Sequence, residues 1–176
     1  HSMDLDIVHA GMDQRKIHML VREIFPKMKW KVPVAVHHKL LPGLSEPTDS
    51  SKVLGKMSKS DPNSGVFIHD TDEIIKSKIK KAWCEEANIE NNPLLEITKH
   101  VIFHDYDEFN VERPEKFGGN VSYSSYSQLE NDFSQKKLHP SDLKQTVANY
   151  LIKIINPIRE KLSIDDELFN SIKQSA

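Results

Sequence analysis

The chain has one cysteine in 176 residues, no long apolar run, no internal repeat and no marked excess of charge of either sign. Each shortage excludes a class of protein. Cys84 has no partner within the chain, so a disulfide-stapled scaffold is ruled out, and such cysteine usage suits a reducing compartment. Apolar runs extend for a few residues only, far short of the ~20 that a membrane helix needs. The 38% hydrophobic content is ordinary and falls in periodic runs, which argues against disorder. His1-Ser2-Met3 reads as an expression remnant around a start codon, without a charged and apolar segment of the signal-peptide kind. A cytoplasmic protein is expected, long enough for one full domain or two small ones.

What is present has an α/β beginning. Ile17, Leu20, Val21 and Ile24 recur at helical spacing, and Pro26 is expected to stop that helix just after Phe25. Val32 to Val36 is a short apolar run of the kind found in buried parallel strands. Residues 39–64 hold Pro42, Gly43, Pro47, Gly55, Pro62 and many serines, which predicts a long loop. Loops of that length inside compact domains usually carry function. Asp70 and Glu73 have capping-box spacing ahead of a helix that buries Ile75, Ile79 and Ala82 and leaves Lys76, Lys78, Lys80 and Lys81 on its solvated face.

Beyond about residue 87 the pattern is mainly helical. Asn92-Pro93 opens one helix, Ser125 with Gln128 caps a second, and Ser141 caps a long third one that Pro157 should kink. Between them, Asn110 to Arg113 and Val121 to Tyr123 read as the strands of a hairpin around Gly118-Gly119. His100 and His104 have i, i+4 spacing but no third ligand at a diagnostic distance, so no protein-bound metal is assigned.

The long loop contains Lys56-Met57-Ser58-Lys59-Ser60 behind Gly55 and ahead of Asp61-Pro62. Two lysines and two hydroxyls in such a loop suit a triphosphate: ammonium groups neutralise charge growing on a departing pyrophosphate, and hydroxyls and amides cradle its oxygens. Composition alone would allow a solvated turn, but the five residues in this order match the signature loop of class I aminoacyl-tRNA synthetases. Near the start, Gly11-Met12-Asp13-Gln14-Arg15-Lys16 is by itself a glycine turn into a helix, with Asp13 favourably placed near the helix N-terminus.

Taken together, these segments resemble the tyrosyl-tRNA synthetases of the archaeal and eukaryotic type. The likeness continues through Arg113-Pro114-Glu115-Lys116-Phe117-Gly118-Gly119 and Leu138-His139-Pro140-Ser141-Asp142 to Pro157-Ile158-Arg159. It implies the C-terminal part of a Rossmann-type nucleotide-binding domain, residues 1–86, followed by a helical anticodon-binding domain with a small hairpin, residues 87–176. It also implies a two-step reaction, in which tyrosine attacks the α-phosphate of ATP, accompanied by Mg2+, and the tyrosyl group then passes to the 3′ end of tRNA(Tyr). By motif position, Lys56, Lys59, Ser58 and Ser60 would serve the pyrophosphate side. Met57 would adjoin ATP, Leu44 would line the adenine site, and Gln14 and Gly11 would meet tyrosine. Ala10 stands where many relatives have a glycine, and His38-Lys39 replaces a commoner Asn-Pro.

Relatives hold the first anticodon base, a guanine, between an aromatic ring and a histidine and read its edge with a carboxylate. The matching residues are Phe117, His139 and Asp142. Read without the family, Phe117 would be a hairpin core residue and Asp142 a first-turn carboxylate. Residues 1–86 carry a net charge of +2 and residues 87–176 one of −4, while residues 116–153 carry +2. Local contacts with a modest salt dependence are therefore expected, in place of a broad basic face.

The family's His-x-Gly-His element and its phenol-selecting aspartate have no counterpart here. The chain is expected to be the C-terminal part of a longer enzyme and unable to form tyrosyl-adenylate alone. Relatives form homodimers largely through the catalytic domain, so dimerisation of this chain is not expected. The rival readings are a tryptophanyl-tRNA synthetase, which shares the signature loop, and a non-catalytic tRNA-binding module of the same fold.

Overall fold

A computed structural model describes residues 3–46, 57 and 61–162. It divides the chain into two compact units, His1–Leu40 and Leu41–Ala176.

The first unit is a strand, helix and strand. β1 (Ile7–Gly11) pairs in parallel with β2 (Val34–His38), with Ile7 opposite Val34 and Gly11 opposite His38. Only one strand was expected, buried and at Val32 to Val36; β2 starts two residues later and leaves Val34 63% and Val36 47% exposed, while Asp4, Asp6 and His9 interrupt the apolar signal of β1. Lys31 ties the entry of β2 to that of β1, its Nζ lying 2.6 Å from Asp6 Oδ1. The helix α1 (Arg15–Lys27) follows a 3-10 turn at Met12–Gln14. Pro26 sits inside its last turn, and the chain leaves the helix at Met28 and the left-handed Lys29 (φ 56°). His18 and His37 bridge α1 and β2 with ring nitrogens 2.9 Å apart. Loss of hydration and the adjoining His18 push the His37 imidazole below its usual range.

The second unit is helical around one apolar core. Its first helix, α2 (Asp72–Lys81), buries Ile75 and Ile79. Its N-cap is Thr71, whose side chain accepts from the Ile74 amide, and not Asp70. Asp70 turns inward, accepting from the Phe67 amide at 2.8 Å and from Lys78 Nζ at 2.6 Å. Lys78 is accordingly 8% exposed, which corrects its placement on the solvated face. α3 (Pro93–Ile97) starts at Asn92, whose Oδ1 accepts from the Leu94 and Leu95 amides, as the sequence predicted. It continues through a π-helical stretch, Thr98–Ile102, into the single turn α4 (Phe103–Asp105).

β3 (Phe109–Val111) and β4 (Val121–Tyr123) form the expected antiparallel hairpin. Ser125 caps α5 (Tyr126–Ser134), which buries Leu129 and Phe133. The last helix, α6 (Pro140–Leu162), packs along α2 and buries Leu143, Val147, Leu151 and Ile155. Tyr150 fastens α6 to the hairpin, because its hydroxyl donates to the Glu108 carbonyl and accepts from the Asn110 amide, both at 3.0 Å. Among the described residues, no helix is long and apolar enough to cross a membrane.

Candidate nucleic-acid interface

Three side chains from two separate segments meet at one open pocket. Phe117, His139 and Asp142 line a cavity of about 380 Å³ together with Arg113, Lys136, Lys137 and Ser141. The sequence places Phe117 more than twenty residues ahead of His139. The fold brings them together because the hairpin loop and the α5–α6 turn lie side by side.

Phe117 is 60% exposed, so it is not the hairpin core residue that its surroundings in the sequence suggest. It ends a 3-10 turn, Glu115–Phe117, and the next two residues, Gly118 (φ 97°) and Gly119 (φ 69°), take left-handed backbone that favours glycine. The turn therefore presents its aromatic ring outward. Lys116 lies over that ring, its Nζ 4.8 Å from the centroid.

His139 immediately precedes α6 and acts as its cap, a role expected of Ser141. Pro140 has no amide hydrogen and a φ suited to the first helical position, so the helix begins one residue before Ser141. The Ser141 amide donates to His139 Nδ1 at 3.1 Å, and the amides of Asp142 and Leu143 donate to the His139 carbonyl. An N–H cannot accept, so Nδ1 presents its lone pair inward and Nε2 carries the ring hydrogen. Asp142 is half-buried in the first turn of α6, where the helix dipole favours its charge.

Arg113 holds the two halves of the pocket together, and the sequence reading assigned it no role. Its Nε donates to the Gly119 carbonyl at 2.7 Å and its Nη1 to the Lys137 carbonyl at 3.0 Å. One guanidinium thus clamps the hairpin loop to the α5–α6 turn through its fixed fork of donors. Its place within the Arg-Pro-Glu-Lys-Phe-Gly-Gly run was the available signal.

The nucleotide-side residues are distributed differently. Lys56, Ser58, Lys59 and Ser60 lie outside the described residues. Met57 is half-buried against Gly65, where an added Cβ would come within 3.0 Å of the Met57 sulfur. Leu44 is 2% exposed in the core of the second unit, with its amide bonded to the Ser64 carbonyl and its carbonyl to the Trp83 amide. In the first unit, Gln14 is exposed and donates to Asp13 Oδ2 at 3.2 Å. Gly11 is hemmed in: an added Cβ would lie 2.6 Å from Asp13 Oδ1 and 2.7 Å from Leu40 Cδ2. His100 pairs with Glu96 at 3.4 Å, and among the described residues no group of three or more His, Cys, Asp or Glu could hold a metal.

Comparison with known proteins bears on the family of the whole chain. The family model described as tRNA synthetases class I (W and Y) matches residues 2–156. The tyrosine–tRNA ligase of Thermococcus sibiricus is 46% identical over 176 residues, covering 89% of this chain and 47% of that protein. The chain thus spans about half the length of the curated relatives it matches. A crystal structure of the Pyrococcus horikoshii tyrosyl-tRNA synthetase complexed with L-tyrosine has a TM-score of 0.89 at 40% identity, covering 98% of this chain and 52% of that one. A Leishmania major tyrosyl-tRNA synthetase in complex with tyrosinol gives 0.75 at 26% identity, covering 96% and 33%. On these grounds the chain belongs to the class I tRNA synthetases (W and Y), within the tyrosyl-tRNA synthetase family.

Proposed function

We propose that this chain supplies the signature loop and the anticodon-reading surface of a tyrosine–tRNA ligase. Residues 1–86 are then the tail of the nucleotide-binding domain and residues 87–176 the anticodon-binding domain, with α2 reaching across the boundary to pack on α6. The observation that carries the reading is the convergence of Phe117, His139 and Asp142 on one open pocket. An exposed ring beside an imidazole can sandwich a base, a contribution of about 1–3 kcal/mol that does not choose among bases. A carboxylate next to that slot accepts from the N1 and N2 hydrogens of guanine, which adenine cannot offer in that arrangement. In the same reading Lys56, Ser58, Lys59 and Ser60 take the pyrophosphate side of ATP, which arrives with its Mg2+, while Gln14 and Gly11 face tyrosine.

The test is direct binding of the 176-residue chain to a hairpin RNA carrying the anticodon stem and loop of tRNA(Tyr). Fluorescence anisotropy should show a preference for guanine over adenine at the first anticodon position. Equal affinity for all four bases there would sink the reading. Tyrosine-dependent ATP–pyrophosphate exchange is expected to be absent from this chain. The tryptophanyl alternative finds less support, since two tryptophanyl-tRNA synthetases reach TM-scores of 0.59 and 0.64 at 22% and 19% identity, below the tyrosyl values given above.

A further inference from the structure

α2 and α6 leave an open groove of about 660 Å³ between them, lined by Lys76, Lys80, Ser141, Lys144, Gln145 and Asn149, with Ala148 at its apolar floor. Ser141 also lines the Phe117 pocket, so the groove and the pocket adjoin at the first turn of α6. Lys76 and Lys80 are exposed and four residues apart on α2, about 6 Å along the helix axis. Lys144 faces them from α6, its Nζ donating to the Lys80 carbonyl at 3.2 Å. Among the described residues that line the groove, three are cationic, two are exposed amides and none is acidic or aromatic.

We propose that this groove is a second RNA contact, which holds the sugar–phosphate backbone of the stem adjoining the base bound at Phe117. The inference rests on the anticodon reading given above. The chemistry excludes base recognition as the main role, since the lining offers no ring to stack on and no paired donor and acceptor aimed at a base edge. It offers ammonium groups and amide donors, the usual partners of phosphate oxygens, which set position and orientation without reading sequence. The groove also complements the local charge: Lys136 is 3.1 Å from Glu86 and Lys137 is 3.5 Å from Asp132, so the pocket's own lysines are partly neutralised.

The two lysines on α2 permit a clean experiment, because they are exposed and their replacement leaves the core of α2 in place. The 176-residue chain and its Lys76→Gln/Lys80→Gln variant are titrated with two RNAs, the anticodon hairpin and its loop as a free single strand, across a series of KCl concentrations. The variant should bind the hairpin roughly tenfold more weakly and lose about 0.9 of log–log salt slope for each phosphate contact removed. Its affinity for the free loop and its preference for guanine should match those of the parent chain. Unchanged hairpin affinity and slope, with the guanine preference intact, would overturn the groove and leave the anticodon reading standing. Equal weakening toward hairpin and free loop would also overturn it, because the lysines would then act at the pocket. If the parent chain shows no base preference, the anticodon reading falls and the groove proposal falls with it.

Discussion

Nζ of Lys78 stands 2.6 Å from Oδ2 of Asp70, and both side chains are almost fully removed from solvent. Each member has further partners: Lys78 donates to the Gly65 carbonyl at 3.1 Å and lies over the Phe67 ring, while Asp70 Oδ2 also accepts from the Phe67 amide. The pair thereby fixes the turn ahead of α2 to the middle of that helix, and with it one wall of the groove.

Removing either charge leaves the other buried and uncompensated. Asp70→Asn or Lys78→Met should each lower stability by about 3–5 kcal/mol, whereas the double variant should cost clearly less than the sum. Urea unfolding of the two single variants and the double variant measures this, and strict additivity would show that the pair is not coupled.

A second ion pair gives the protein an acid-sensitive joint. Arg159 on α6 donates to Asp72 Oδ1 at 2.6 Å, to Asn156 Oδ1 and to the Asp70 carbonyl, and its hydrogen bond holds the Asp72 carboxyl below the usual carboxylate range. A carboxyl depressed in the folded state stabilises it above the unfolded value of about 3.9, and that stabilisation is lost as pH falls through the lower folded value. The stability gap between the parent chain and Asp72→Asn should therefore be present at neutral pH and close in strong acid. A gap of the same size in neutral and strongly acidic buffer would refute the linkage.

Lys136 carries a local strain that glycine would relieve. It occupies left-handed backbone (φ 62°) at the end of α5, where its amide bonds back to the Phe133 carbonyl and that of Lys137 to the Asp132 carbonyl. Glycine commonly fills this position because a side chain costs about 1 kcal/mol there. Lys136→Gly should raise the thermal midpoint while weakening RNA binding slightly through the lost charge. A fall in the midpoint would mean that the Lys136–Glu86 pair outweighs the backbone strain.

The pocket residues should separate affinity from choice. Phe117→Ala should weaken binding to every loop sequence by about 1–3 kcal/mol, and Asp142→Ala should cut the guanine preference by about 1–3 kcal/mol. Titration of both variants with the four first-position hairpins distinguishes the two effects. The account fails if Phe117→Ala alters the ranking of bases or Asp142→Ala leaves it intact.

The helices and the hairpin were legible because their signals are local: Asn92-Pro93, Ser125 with Gln128, and the apolar stripe of α6 each lie within one element. The errors arose where a distant partner decided. Lys78 reads as a surface lysine among three others, and only the inward turn of Asp70 makes it a core residue. Ser141 is a good cap by composition, yet Pro140 moved the start of the helix and passed that role to an imidazole. Spacing could not join Phe117 to His139, because the hairpin loop meets the α5–α6 turn in space only; the motif supplied that link. The arginine that clamps them was visible as a letter but not as a function, since its partners are backbone carbonyls that no side-chain pattern announces.

The doubly bonded Leu44 bears on how this protein could be engineered. Its amide reaches the Ser64 carbonyl at 2.9 Å and its carbonyl receives the Trp83 amide at 2.7 Å, so the two ends of the intervening stretch meet on a fixed seam. Closing such a stretch costs entropy that grows only with the logarithm of its length, about 0.6 kcal/mol for each doubling. Added chain length between Leu44 and Ser64 should therefore leave the unfolding midpoint nearly unchanged as long as that seam is intact.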